Sequence, residues 1–546
     1  MKFYVADAGD SLRTIAAKNG IGITELISLN PHIANPDHNI AGRQVRLPSS
    51  SGTGEVPMCP PPEPRAYLID WIPLTPLERM AETEYDAVIV GTGAGGAAVL
   101  WRLCEQWGAN GKRIGVVEAG DLLLPTHTWN IPTFNGERAG RFIENPKLWN
   151  RFGRFLPEYS GAKTFLALGG RTVHWGAVSP RMHASALAGW PVTPQEMELY
   201  YNIAERAMNV TQDYAKDSSI TEILLDRLRN NGFPEAVYAP LAADLESTRY
   251  GEIRSNVIFS SMIFLGRALN RRPFDLAVKA RAVQVIAENG KAAGVRVMTT
   301  AKQSYLLKAK TVVLAANAYE TPRLLLNSGI QGHAIGRYLT NHSFITARGT
   351  VSTRSFPEVL GTLGILIPQT EQRPYQLQFG GPAGYYFYHN EEKPAREEWD
   401  IGFYGAFGTV ESRFENRLDL DPWRRDEYGV PELRIQFSYS ERDRAIIRQM
   451  TSAMRQAASA AGIRLISPGG LPDLCLHPPG DDNHESGTCR MGEDPSTSAA
   501  DRYGQIHGIS GLYAADNSVL PSLGAANPTL TTVALAIRTA DRIIRA

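Results

Sequence analysis

The chain carries no net charge: Lys and Arg together number 56, and so do Asp and Glu. That balance removes any electrostatic reason to expect nucleic acid or an anionic membrane as a partner. Cysteine is scarce. Cys59, Cys104, Cys475 and Cys489 are the four in 546 residues, none in a Cys-x-x-Cys pair, which argues for reduced thiols rather than a disulfide scaffold. No uninterrupted apolar run reaches the ~18 residues that a membrane helix needs. The opening residues, MKFYVADAGDSL, hold neither an apolar core nor a cleavage site, so the expectation is a cytoplasmic protein without a signal peptide. What remains is ordinary globular composition, 43% hydrophobic and 21% charged. The chain is too long for one core, and two or three domains are expected.

Residues 84–119 read EYDAVIVGTGAGGAAVLWRLCEQWGANGKRIGVVEA. AVIVG is a continuous apolar run, the pattern of a strand buried on both faces. Gly91, Gly93 and Gly96 then form Gly-x-Gly-x-x-Gly where strand gives way to helix. Gly91 permits a sharp turn, Gly93 lets the backbone approach a pyrophosphate, and Gly96 lets the helix pack closely on the strand. The helix N-terminus offers free N–H groups and partial positive charge. IGVVE makes a second strand ending in Glu118, about twenty residues beyond Gly96, where an acid can hold a ribose hydroxyl. The set predicts a site for a dinucleotide with a free 2′-OH. A turn without a ligand is the bland alternative, and the motif does not choose FAD over NAD.

Residues 1–48 read as a separate βααβ module. FYV is a short strand, Asp10 or Ser11 caps a helix, and Leu12, Ile15 and Ala16 follow at helical spacing. ITELISLNPHI supplies a second helix and HNIAGRQVRLP a closing strand. The module resembles a LysM domain in Gly9-Asp10-Ser11-Leu12, Ile15-Ala16, Leu26, Asn30-Pro31 and the run from Ile40 to Pro48. That resemblance implies docking on N-acetylglucosamine polymers; a spacer that kept the fold without the sugar is the rival reading. The Ser/Gly-rich, then Pro-rich composition after it predicts an extended linker, placed at 49–80, and Cys59 within it has no assigned role.

Residues 165–182 read FLALGGRTVHWGAVSPRM. Gly169 and Gly170 punctuate a loop rather than a helix. A buried turn with a satisfied histidine fits this stretch; so do glycines that let backbone N–H groups reach a flavin. The chain is similar here to the glucose–methanol–choline (GMC) family of FAD-dependent oxidoreductases. The matches are Gly91–Gly96 with Glu118-Ala119-Gly120, Gly169-Gly170, GWPVTPQEMELYYNIAERAMNV (189–210), AKTVVLAANAYETPRLLLNSG (309–329), IGRYLTNHS (335–343), NRLDLDPWRRDEYGVPELRI (416–435) and nearly everything from 484 onward. They run in order over about residues 80–546.

The resemblance implies an α/β protein, α+β overall. Its Rossmann-like FAD domain would comprise 81–190, 271–341 and 475–546, and its antiparallel-sheet substrate domain 191–270 and 342–474. GGRTVHW resembles the flavin-linking loop of pyranose 2-oxidases, so Thr172, His174 and Trp175 are candidate cofactor contacts. His174 is a candidate for a covalent bond to FAD. Thr172-Val173 departs from the Ser-Thr of the fungal enzymes, which leaves covalent and non-covalent FAD both open. Val283 would pass the adenine. Asp516 and Asn517 would lie near the diphosphate and ribityl chain.

Between these motifs, QEMELYYNIAERAMN (195–209) has helical periodicity, and 275–300 alternates around Glu288-Asn289-Gly290 as a hairpin. TVVLAAN (311–317) reads as a buried strand followed by a helix from Thr321-Pro322. Short β-like segments from 342 to 440 predict an antiparallel sheet roofing the flavin, and the aromatics of GGPAGYYFYHN (380–390) suit either sugar stacking or a core. Residues 441–462 read as a helix.

The family signature places a histidine three residues before Gly-Thr, here His484 in HESGTCRMG, and a second His or Asn before Pro, here Asn527 in Asn527-Pro528-Thr529. Oxidising an alcohol requires removal of its hydroxyl proton as hydride leaves carbon, and an imidazole accepts a proton near neutrality. His484 is therefore the candidate base and Asn527 the candidate positioning donor. Cys475, His477, His484 and Cys489 fit no zinc-binding spacing, so no metal is expected. The combined reading is oxidation of a CH–OH group, of a sugar or glycoside, with oxygen or a quinone-like compound as acceptor. The alternatives are a non-sugar alcohol oxidase or dehydrogenase, a lyase or light-driven enzyme on the same fold, and a glycan-binding protein with a degenerate scaffold. Oligomeric state is not legible.

Overall fold

A computed structural model describes residues 2–49, 69–134, 136–152, 159–245, 257–352, 354, 362–381, 398–470 and 472–546, with the side chains of 398–404 and 468 left aside. The residues read as an extended linker over 50–68, Cys59 among them, lie outside this set, as do 382–390 of the aromatic run. The chain forms two compact units, Met1–Ile69 and Asp70–Ala546.

In the first unit the strands Lys2–Val5 and Gln44–Leu47 pair antiparallel around helices Leu12–Asn19 and Ile23–Leu29. Ser11 is the cap. Its hydroxyl accepts from the N–H of Thr14, while Thr14 reciprocates to the Ser11 backbone. Asp10 serves the turn instead, accepting from the hydroxyl of Tyr4, the ammonium of Lys18 and the N–H of Asp7. Leu12, Ile15, Leu26, Ile33, Ile40 and Val45 close a small core.

The second unit is built on two seven-stranded sheets. In the first, Glu84–Val90 is central. Ile114–Val117 flanks it on one side and Ser304–Leu314 on the other, both parallel to it. Asp275–Ala277 extends the parallel set at one edge, and Leu512–Ala514 joins Ser304–Leu314 near its end. Residues Ala87–Val90 are buried, as a central parallel strand covered on both faces demands. The predicted hairpin starts later than expected. Asp275–Ala277 is its own parallel strand, and the hairpin is Ala280–Glu288 with Lys291–Thr299, turned by Asn289 and Gly290 at φ 51° and 73°. Two positive φ values in a row are the type I′ geometry that Asn-Gly favours.

The helix expected from Thr321-Pro322 begins earlier and spans Asn317–Asn327. The side-chain oxygen of Asn317 accepts from the N–H groups of Tyr319 and Glu320 and so starts the helix. Pro322 lies inside it because the carbonyl that proline leaves free, that of Ala318, accepts from the Thr488 hydroxyl at 2.6 Å. Helix Pro194–Met208 stands where predicted. Helix Thr529–Arg545 is buried almost all round, packed on helix Ala94–Trp107 and tied by Arg538–Glu196 and Arg102–Asp541 ion pairs at 2.6 Å. Among the described residues no helix is long and apolar enough to cross a membrane.

The second sheet is antiparallel. Ser343–Ser352, Glu398–Gly408, Tyr375–Gly381 and Leu363–Ile367 run side by side at its centre. Helix Glu441–Ala461, capped by Ser440 and ended by Gly462 at φ 72°, buries Ile446, Met450, Met454 and Ala457 against one face. Alternation sends Leu377 and Phe379 to that face, and Gln376 and Gln378 to the other. The segment ELRIQFSYS departs from the predicted sheet: among the described residues Pro431–Gln436 pairs with Arg417–Arg425 alone, as a separate hairpin.

Candidate active site

A cavity of about 500 Å³ runs between the two sheets. Its floor is the first glycine corner. Gly91 has φ +98°, and a Cβ there would lie 2.3 Å from the Ala315 carbonyl oxygen, so only glycine fits. A Cβ on Gly96 would lie 2.0 Å from the oxygen of Gly91, the close helix-on-strand packing that the motif implies. Gly95, which the motif does not single out, is as constrained: its Cβ would meet the carbonyl oxygen of Ala515. Gly93 is different. Nothing lies within 4 Å of its would-be Cβ, and it starts helix Ala94–Trp107 with no side-chain cap. Its open side and uncapped N–H groups suit a phosphate.

Thr92 holds the floor together. Its hydroxyl donates to Glu118 Oε2 at 2.6 Å and accepts from the N–H of Gly169 at 2.9 Å, and its own N–H donates to the same carboxylate. Gly120 N–H donates to Glu118 Oε1 at 2.8 Å. Burial pushes this acid up despite those donors. The second glycine corner meets the first: a Cβ on Gly170 would come to 3.2 Å of Gly93 Cα. Contrary to the loop reading, Gly170–Val173 forms a short 3₁₀ turn, entered through Gly169 at φ +88°. The Thr172 hydroxyl donates to the carbonyl of Gly169, and Ser261 ties it back to Thr92.

Asp516 accepts from Asn317 N–H, the Thr321 hydroxyl and Ser518 N–H, and Asn517 accepts from the Thr532 hydroxyl. Both line the cavity beside Thr529. His174 also lines it, edge-on to Trp149 and tilted against Phe165. Burial pushes its imidazole down to about 3, so it is neutral, and its Nδ1 has no hydrogen-bond partner among the described residues.

At the other end stand His484 and Asn527. Nδ1 of His484 is 2.9 Å from Nδ1 of His342, whose Nε2 is 3.1 Å from the carbonyl oxygen of Gly524. Burial lowers both imidazoles, His342 to about 3, with His342 and Arg171 lowering His484 further. Burial pushes Asp482, 3.8 Å from His484, up to about 7. The side-chain oxygen of Asn527 accepts from the amides of Gln376 at 2.9 Å and Gln378 at 2.5 Å, which leaves its amide N–H groups as donors. Arg171 pairs with Glu485 at 2.7 Å, and the second Glu485 oxygen and Oδ1 of Asn483 are buried without partners among the described residues.

The cavity thus gathers Gly91, Gly93, Glu118, Gly170, Thr172, His174, Trp175, Asp516, Asn517, Thr529, His484 and Asn527. Gly96, Gly169 and Pro528 stand behind the lining. Val283 is not among the lining residues: its side chain is buried and its carbonyl accepts from Asn327, while Ala280, Arg281 and Ala282 of the same strand line the cavity just before it. The strand carries a register shift between Ala282 and Gln284, so regular alternation does not run through Val283. Sequence reasoning missed Thr92, His342, Gln376, Gln378 and the Arg171–Glu485 pair. Thr92 lies within the Gly-x-Gly-x-x-Gly stretch and His342 within IGRYLTNHS, so both had a local signal; the glutamines have none.

Family models described as GMC oxidoreductase match residues 85–344 and 412–536, and a LysM domain model matches 4–48. A C-glycoside 3-oxidase of Arthrobacter globiformis is 30% identical over 69% of this chain and 73% of its own. The chain belongs to the GMC oxidoreductase family. A pyranose 2-oxidase of Tricholoma matsutake is 26% identical over 70% of this chain and 73% of its own. A formate oxidase of Aspergillus oryzae shares the fold with a TM-score of 0.62 at 14% identity, covering 84% of this chain and 98% of that one.

As a GMC oxidoreductase the chain is an enzyme acting on CH–OH groups, of a flavoprotein family that binds FAD. Its own residues fit that cofactor. The uncapped helix start, the bare face of Gly93 and the buried orphan atoms of His174, Asn483 and Glu485 all open on one cavity.

Proposed function

We propose that this GMC oxidoreductase oxidises a ring CH–OH of a sugar or glycoside, with His484 as general base and Asn527 as positioning donor. FAD, when bound, supplies the acceptor for the hydride that leaves carbon. His484 takes the hydroxyl proton. Asn527, its oxygen already held by two glutamines, points N–H toward the substrate oxygen and fixes the carbon's orientation. The observation that carries this reading is one cavity shared by two glycine corners, a neutral imidazole and an oriented carboxamide. Its similarity to a C-glycoside 3-oxidase and a pyranose 2-oxidase favours sugars over simple alcohols.

His174 is proposed as the attachment point for FAD. A buried, neutral imidazole with an unpartnered ring nitrogen suits that role. Acid precipitation tests it: colour retained in the pellet supports attachment, and colour released to the supernatant opposes it. Re-oxidation by oxygen or a quinone, and glycan docking through residues 4–48, complete the proposal. The whole is tested by mixing the purified yellow protein anaerobically with pyranoses and C-glycosides. Bleaching of the flavin is expected; bleaching only by non-sugar alcohols, or none, would overturn the sugar reading.

A further inference from the structure

We infer that His342 fixes the tautomer of His484 that leaves Nε2 bare toward the cavity, and that it joins the base to the loop carrying Asn527. The inference rests on the reading of His484 as general base.

The hydrogen bonds admit one assignment. Gly524 offers a carbonyl, which only accepts, so the His342 nitrogen 3.1 Å away must carry the hydrogen. His342 is fully buried and neutral, so its Nδ1 then holds a lone pair. The two Nδ1 atoms are 2.9 Å apart, and a contact that short between ring nitrogens requires one hydrogen between them. It belongs to His484. A neutral His484 protonated at Nδ1 is unprotonated at Nε2, the nitrogen left for the cavity it lines.

The opposite assignment would set the His342 lone pair against the Gly524 oxygen and strand a buried carbonyl. Asp482 does not supply an alternative partner: it is 3.9 Å from His342 and 3.8 Å from His484. Its oxygens accept instead from the backbone N–H of His342 at 2.8 Å and from the Asn341 side-chain amide. Phe407 packs against both rings and limits their rotation.

The consequence is directional. When the substrate O–H bond breaks, the proton forms its new bond at His484 Nε2, while Nδ1–H continues to donate to His342. Gly524 stands three residues before Asn527. A shift of the Asn527 loop therefore moves the Gly524 carbonyl, and with it the histidine that orients the base. His342 is a positioning residue, acting through His484.

The test uses the holoenzyme with ¹⁵N-labelled histidine. Long-range ¹H–¹⁵N spectra report which ring nitrogen bears hydrogen, and His484→Gln and His342→Asn each remove one residue's signals and so assign them. The expected result is a protonated Nδ1 and bare Nε2 for His484, with the reverse for His342. A protonated Nε2 on His484 overturns the inference whatever the activity.

Flavin bleaching by a substrate found in the sugar panel gives the second arm. His342→Phe keeps ring shape and removes the acceptor, and is expected to slow bleaching about a hundredfold with KM little moved. His342→Asn keeps an acceptor near the Nδ1 position and is expected to retain about a tenth of the rate or more. Equal rates for native, Phe and Asn proteins would overturn the inference. Failure of the base reading is separate: it shows as undiminished bleaching in His484→Ala, while the native spectrum still decides the tautomer.

Discussion

At the scale of single residues, the site depends on which groups stay neutral in the protein interior. His484 carries the heaviest demand, and replacing it with Ala should slow flavin bleaching by about 10²–10⁴-fold, the range of a lost general base. His127 offers a cleaner view of the same physics. It accepts from Trp129 N–H through Nδ1 and lies 2.9 Å from the Trp175 carbonyl through Nε2, behind the tryptophan that lines the cavity. Burial pushes it down to about 4. The folded state therefore resists the proton that the unfolded chain takes up near 6.5. Its contribution to stability is intact above that pH and is lost as pH falls toward 4. In urea unfolding, the stability gap between native protein and His127→Asn should narrow by about 2 kcal/mol between pH 8 and pH 5. A gap that does not change would contradict a neutral His127. His484 and Asn527 were legible because each sits in a local signature. His342 also sits in a motif stretch, but that stretch does not show its partner, and Gln376 and Gln378 have no local signal at all: what these three touch lies more than a hundred residues away.

At the scale of elements, two close approaches hold the cofactor corner in shape. Gly95→Ala would drive a methyl against the Ala515 carbonyl beside Asp516, where neither backbone can yield. The expected outcome is a Gly95→Ala protein that melts well below the native protein even without flavin, whereas Gly93→Ala, facing open space, should keep the native melting temperature of the flavin-free protein and lose FAD affinity alone. Equal melting temperatures of the two flavin-free variants would contradict the distinction. Helix Asn317–Asn327 makes the second case. Thr488→Val leaves the Ala318 carbonyl unpaired beside Pro322 and should cost about 1–3 kcal/mol of stability, measured by denaturant unfolding. This helix start was misplaced in the sequence because Pro at a first turn is the common case. The hydroxyl that permits an internal proline comes from a distant segment. The hairpin at 280–299 was nearly right because Asn-Gly dictates its own turn. Its first strand was extended too far because Asp275–Ala277 alternates no differently from Ala280–Glu288.

At the scale of the whole molecule, two sheets with unlike rules meet at one cavity. The parallel sheet was legible as continuous apolar runs punctuated by glycine. The antiparallel sheet was legible only as a class, since which of its faces meets the helix Glu441–Ala461 depends on that helix's own buried stripe. The chain divides at Ile69, so removing residues 1–69 should leave bleaching rate and flavin content unchanged and abolish any retention on chitin. Retention by the shortened protein would oppose glycan docking through the LysM domain. Proton removal by His484 from a sugar hydroxyl is the step on which the proposed chemistry depends. The most direct measurement of it is stopped-flow flavin absorbance on anaerobic mixing with pyranoses and C-glycosides, native protein beside His484→Ala. Rapid bleaching is expected in the native protein, and bleaching slowed by about a hundredfold or more in the variant. Equal rates in the two, or no bleaching of the native flavin by any sugar, would contradict it.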